Sequence, residues 1–324
     1  MTDTGPLFIS SGDLIADRRY KWALDQVARG DFAGAADILA QTVELAPAFA
    51  TAWFALGAIR DRLGDRAGAV AAFAKASDAD RDDYHGARLQ LARLGSGNAA
   101  PPMSEAYVRR LFDQYAGRYD AALTERLAYR GPALLRDAAA DALRVAGRPL
   151  HFASMLDLGC GTGLAGAAFR PLLERLVGVD LSPGMIAQAE SKGLYDRLAT
   201  ADLADFLVAE AGNGAEYELI LAADVFVYVN DLAPIVAAIA RVLAPGGLFA
   251  FTVETHSGDN MKLLPTLRYA HAEPYIRRLL ADATLTVVSI SKVAVRSEKS
   301  VPVDSLVVVA QASTPPYAPA TSGG

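Results

Sequence analysis

From residue 151 onward the apolar positions gather into short runs, at 155–158, 176–179, 219–222 and 248–253, with helically spaced stretches between them. Short continuous apolar runs read as strands buried on both faces. Their alternation with helices predicts an open, doubly wound, mostly parallel α/β sheet. The pattern changes at the end, where 285–295 and 306–310 are strand-like but separated only by a short polar loop containing Pro302. That gap is too short for a crossover helix, so the pair is expected to form an antiparallel hairpin at one sheet edge. Upstream, Ser104 is placed to cap a helix whose apolar face runs Val108, Leu111, Phe112 and Tyr115, and a second helix follows Pro132 to about Val145.

The N-terminal third follows another rule. Gly30-Asp31-Phe32-Ala33-Gly34-Ala35-Ala36 realigns on Gly64-Asp65-Arg66-Ala67-Gly68-Ala69-Val70, a shift of 34 residues that also puts Trp22 on Leu56 and Leu39 on Phe73. That period belongs to stacked pairs of antiparallel helices. Trp53, Leu56, Gly57, Gly64, Ala69, Phe73 and Ala76 resemble the tetratricopeptide (TPR) consensus. Arg19 and Arg81 depart from it, standing where that consensus has tryptophan and proline. About three repeats are normally needed for stability, so 84–94 is expected to act as a closing helix. Glycine, serine and two prolines at 95–102 read as a linker. The expected map is an all-α TPR-like array at 13–95, a linker at 96–103, a second domain at 104–312 and a disordered tail at 313–324. Within the second domain, 104–150 would supply lid helices and 151–312 the core.

Composition narrows the function. With 324 residues, 52% of them hydrophobic, the chain can bury two modest cores. A net charge of -6 argues against nucleic acid or anionic membrane as the main partner. Cys160 is the lone cysteine and there are four histidines, so neither an internal disulfide nor a structural metal site is expected. Neither a signal peptide nor a membrane span is read from the sequence, and a cytoplasmic setting fits best.

The candidate chemistry lies where the first strand ends, in Asp157-Leu158-Gly159-Cys160-Gly161-Thr162-Gly163 with Gly166 beyond. Gly161, Gly163 and Gly166 spell the dinucleotide pattern G-x-G-x-x-G, with Asp180 where a ribose-binding acid would stand, so an NAD-dependent oxidoreductase is one reading. Read from Asp157, the same loop is D-x-G-x-G-x-G, a pattern of S-adenosylmethionine (SAM) enzymes. Charge separates the two. A pyrophosphate seeks donors and positive potential, whereas SAM presents a sulfonium, an ammonium, ribose hydroxyls and an adenine amine. Between 151 and 168 there is neither Lys nor Arg, and Asp157, Asp180, Asp202 and Asp224 stand at the tips of four successive strands. The plainer alternative is that Asp180 and Asp202 only cap the helices that follow.

Asp157 to Gly163, Asp180-Leu181-Ser182-Pro183-Gly184-Met185, Asp202-Leu203, and Leu243-Ala244-Pro245-Gly246-Gly247 together resemble a class I SAM-dependent methyltransferase, over about half the chain. The resemblance implies a seven-stranded core and SAM as cofactor. It places Gly159, Cys160, Gly161 and Gly163 along the methionine portion, Asp157 near the ammonium and Asp180 on the ribose hydroxyls. Leu181, Met185, Asp202 and Leu203 would surround the adenine, and Ala222 would line the sulfonium. Phe112-Asp113-Gln114-Tyr115-Ala116-Gly117-Arg118-Tyr119-Asp120 is similar to segments that fold over the cofactor, which makes Tyr115 and Tyr119 lid candidates; an aromatic stripe at this spacing also suits plain core. Candidate bases follow the fifth strand at Glu254, His256 and His271, and the histidines suit the task because imidazole titrates near neutrality. Phe226, Tyr228, Arg268 and Tyr269 are candidates for binding the acceptor, expected to be a small molecule or a carrier-bound group. A protein target or a second copy could meet the helical array. Cys160 reads as a small packing residue more than as a reactive thiol.

Overall fold

The computed structural model describes residues 8–118, 129–298 and 300–313. Tyr119, and the predicted tail apart from Ser313, lie outside these. The chain divides into two units: the segment to Val108 together with 263–267, and the remainder from Arg109.

The first unit contains α1 (Leu14–Ala28), α2 (Phe32–Leu45), α3 (Ala50–Arg62), α4 (Arg66–Ala79) and α5 (Ala87–Arg93). Its internal repeat has a local cause. Asp31 caps α2 by accepting from the Gly34 amide at 2.9 Å, and Asp65 caps α4 by accepting from the Gly68 amide at 2.8 Å. Gly30 and Gly64 both turn the chain at φ +82°, a conformation that disfavours a side chain. Tyr20, Leu39, Val43, Phe49 and Leu56 form one buried cluster, and Gly57 lets the Phe73 ring approach so closely that a methyl group would sit 2.8 Å from it. The division falls at Val108, inside α6 (Glu105–Tyr115).

The second unit continues with α7 (Gly131–Val145), β1 (Phe152–Leu158), α8 (Leu164–Phe169), β2 (Leu173–Asp180), α9 (Pro183–Ser191), β3 (Arg197–Thr200) and α10 (Leu203–Gly212). It goes on with β4 (Tyr217–Ala222), α11 (Ala233–Val242), β5 (Leu243–Glu254), β6 (Met261–Leu263), β7 (Tyr269–His271), α12 (Glu273–Asp282), β8 (Leu285–Glu298) and β9 (Val301–Ala312). The strand order is β3-β2-β1-β4-β5-β7-β6, with β9 antiparallel to β5 and β8 antiparallel to β9. The mixed, mostly parallel α/β sheet and its terminal hairpin agree with the sequence pattern. The count does not: among the described residues the sheet has nine strands rather than seven. The extra two, β6 and β7, are three-residue strands in a stretch that reads as irregular in sequence. β7 pairs with β5 only at Glu254 and Ala270, beyond the last β4 partner, Phe251.

The apolar runs serve two faces at once. Leu156, Ile220 and Phe249 face one buried cluster, while their neighbours Met155, Leu219 and Leu248 face the other. That explains why the runs are continuous instead of alternating. Strand order reverses between β1 and β4, so the crevice for a ligand lies at the carboxyl ends of those two strands. Among the described residues no helix is long and apolar enough to cross a membrane.

Candidate functional site

The glycine loop leaves β1 through Gly159, at φ +62°, where an added methyl group would lie 2.5 Å from the Val225 side chain. The Gly161 amide donates to Asp180 Oδ2 at 2.9 Å, and the Ser182 amide donates to Asp180 Oδ1 at 2.8 Å. Asp180 thus ties β2 to the loop, with the Leu181 amide also directed at its carboxylate. Burial pushes its carboxyl up, and the amides oppose that shift. Asp157 is 1% exposed and accepts the Tyr195 hydroxyl at Oδ2, 2.7 Å away. Burial, with the nearby Asp180 charge, pushes it up to about 7 against the Tyr195 hydrogen bond.

Asp202 caps α10, its Oδ1 accepting from the Ala204 and Asp205 amides at 2.8 and 3.2 Å. The capping reading therefore holds for one of its oxygens. Leu203 opens α10 half-buried, Met185 is fully buried on α9, and Ala222 ends β4 in the core. Leu181 is half-buried, with its carbonyl accepting from Arg109 Nε at 3.3 Å. Burial holds the Cys160 thiol well above its ordinary range, in agreement with a packing role. Gly159, Cys160, Gly161 and Asp157 line a small cavity together with Tyr129 and Ala223.

On the lid side, Asp113 accepts from Ser182 Oγ and from the Gly184 amide at 3.1 Å, which fastens α6 to the start of α9. Phe112 meets Tyr228 edge to face, ring centres 5.1 Å apart, and Tyr115 ends α6 half-buried. These contacts join the predicted lid to the segment after β4.

Several expectations need correction. Asp224 does not join an open rim of four carboxylates, because it is ion-paired with the buried Arg296. It sits in the left-handed region at φ +62° and its amide donates to Thr252 Oγ1 at 2.9 Å. Glu254 is not available as a base: it is 3% exposed and pairs with Arg296 and Arg268. The Arg268 Nε contact at 2.5 Å is one of charge and not an aligned hydrogen bond. Arg268 also pairs with Glu298, so it offers no free cation to an acidic acceptor. Phe226 does not wall a channel; it is fully buried against Phe249 and Phe251. Tyr269 likewise lies wholly inside, on β7. His256 is occupied within its own loop, with Nδ1 accepting from the Gly258 amide at 3.0 Å and Nε2 placed 2.9 Å from the Asn260 carbonyl, to which it donates. His271 is fully buried over the Tyr275 ring, and burial pushes it down to about 4, so the imidazole is neutral at pH 7.

Sequence reasoning missed three positions. Tyr195 packs against Gly163, Gly166 and Gly178, and small residues converging on one point were its only trace. Arg296 left only a faint signal, a charge directly after the apolar run Val293-Ala294-Val295. Asp113 was visible only as part of the lid string.

The dinucleotide alternative loses support from this geometry. The Gly161 amide that would meet a pyrophosphate is donated to Asp180, and two buried carboxylates stand beside the loop. Residues 156–251 match the family described as "Methyltransferase domain". The human "Methyltransferase-like protein 27" is 38% identical over 103 residues, covering 32% of this chain, and the chain spans 40% of that relative's length. Similar solved structures include the 1,6-didemethyltoxoflavin-N1-methyltransferase of Burkholderia thailandensis, with bound 1,6-didemethyltoxoflavin and S-adenosylhomocysteine. It is 24% identical, with a TM-score of 0.48, over 64% of this chain and 87% of that one. The N-methyltransferase NodS of Bradyrhizobium japonicum, in complex with S-adenosyl-l-homocysteine, is 19% identical with a TM-score of 0.47, over 63% and 97%.

Proposed function

We propose, from the premise that this chain carries a SAM-dependent methyltransferase domain, that the whole protein methylates a small-molecule or carrier-bound acceptor at an oxygen or nitrogen nucleophile. The observation that carries the reading is Asp180. Its carboxylate is anchored at the end of β2 by the Gly161 and Ser182 amides, with that of Leu181 also directed at it, which leaves about one of a carboxylate's four acceptor sites for a hydroxyl donor. Asp202 Oδ2, the oxygen not used in capping α10, suits an exocyclic amine, and Asp157 suits the ammonium end. The glycines supply the close approach that a Cβ would block.

When bound, SAM supplies a methyl group on a positively charged sulfur. Transfer is an in-line displacement, so the protein's part is to hold the acceptor in line and keep water out. Asp113 holds α6 against α9, and Phe112 with Tyr228 gives the acceptor side an aromatic edge. An alcohol or amine acceptor must also lose a proton. None of the three expected bases stands free to take it: Glu254 is ion-paired, His256 is bonded within its own loop and His271 is fully buried. The helical unit supports a TPR-like reading through its repeated Asp31 and Asp65 caps, and we assign it to self-association or to support of the catalytic unit.

Labelled SAM incubated with a cell extract tests the proposal. Label should enter the small-molecule or carrier fraction with wild-type protein and fall to background with Asp180→Ala. Label confined to polypeptide side chains would favour a protein methyltransferase instead.

A further inference from the structure

We propose that Tyr195 is a positioning residue of the cofactor site: its phenol holds the Asp157 carboxylate in place, and its ring sets the height of the glycine loop. The inference rests on the SAM site described above. Tyr195 lies in the segment between α9 and β3, outside every motif that the family pattern marks.

Three glycines on three elements make room for one ring. A methyl group on Gly166, in α8, would lie 2.4 Å from the Tyr195 hydroxyl. One on Gly178, in β2, would lie 2.7 Å from the ring, and one on Gly163, in the loop, 3.0 Å from it. Glycine is therefore needed at Gly166 and Gly178 because tyrosine fills the space, independent of any ligand. The hydroxyl then donates to Asp157 Oδ2 at 2.7 Å, the one side-chain hydrogen bond that this buried carboxylate makes among the described residues. The Gly166 amide bonds to it as well. A carboxylate 1% exposed has no water to hold its charge, so the phenol and the amide do so.

The consequence concerns charge as much as shape. The titratable groups facing Asp157 are Tyr195, Asp180 at the end of β2 and Cys160 in the loop. Asp180 opposes ionisation of Asp157 and the Tyr195 hydrogen bond favours it. Removing the hydroxyl while keeping the ring leaves the packing whole and moves Asp157 toward its protonated form, which no longer counters an ammonium.

The test compares wild-type protein with Tyr195→Phe by SAM titration calorimetry from pH 5.5 to 9.5. The quantity read is the ratio of the two Kd values at each pH, in which the titration of SAM's own amine cancels. The ratio should be near one at pH 9.5, where both carboxyls are ionised, and climb as pH falls through their pKa values to roughly tenfold below them, one pKa unit being a factor of ten. A ratio that stays flat with pH overturns the proposal, because a purely packing role has no titration. If Tyr195→Phe fails to fold, 3-fluorotyrosine at position 195 replaces it: its more acidic hydroxyl is the stronger donor, so the ratio should move below one as pH falls, and a ratio flat with pH would again overturn the assignment. Wild-type protein that binds no SAM at any pH contradicts the cofactor reading itself, a failure distinct from a flat ratio.

Discussion

Two groups of carboxylates stand at the strand tips of the second unit, and they meet opposite electrical fates. Asp157 and Asp180, at the glycine loop, and Asp202, at the start of α10, are held by neutral donors: a phenol and backbone amides. Asp224 and Glu254, at the ends of β4 and β5, are held by the guanidiniums of Arg268 and Arg296. The first group has no cation against it, and the second is neutralised by ion pairs. A carboxylate at a strand tip is thus not by itself the mark of a ligand site, since Asp224 and Glu254 are spent on ion pairs.

Breaking the ion-paired group should cost most. Arg296 is buried with Asp224, Glu254 and Glu298 around it, so Arg296→Met leaves uncompensated charge inside and should destabilise the fold by about 3–5 kcal/mol in denaturant titration. The loop group should respond less in stability and more in binding. Asp180→Ala should weaken SAM affinity ~100-fold, given about 1.5–3 kcal/mol for hydrogen bonds to a charged acceptor, with a much smaller change in unfolding midpoint.

The pH dependence of stability separates the groups further. Folding raises Asp157 from 3.8 to about 7, so between those values the folded chain holds a proton that the unfolded chain has released. Stability without ligand should consequently fall as pH rises from 4 to 7, and Asp157→Asn should flatten that slope in a series of thermal melts. The smallest effect belongs to His256, whose ring bonds stay within residues 256–260. His256→Ala should change stability by no more than about 0.5 kcal/mol and turnover by less than twofold.

The parallel sheet was readable because its strands are buried on both faces and so appear as unbroken apolar runs. The glycine loop was readable because close approach demands glycine at fixed spacing. Tyr195 and Arg296 were not, since each acts on a partner far along the chain, Asp157 at 38 residues and Asp224 at 72, and no local period records such a pairing. For the same reason the sequence showed four equivalent aspartates where the fold makes three of one kind and one of another. β6 and β7 escaped because three-residue strands carry no alternation to read.

The carboxylates at the glycine loop should select a cationic sulfonium ligand over a diphosphate. Calorimetric titration of the wild-type protein with SAM and with NAD, side by side at pH 7.5, tests it most directly. Saturable SAM binding with no measurable NAD heat is the expected result; saturable NAD binding with none for SAM would contradict the account.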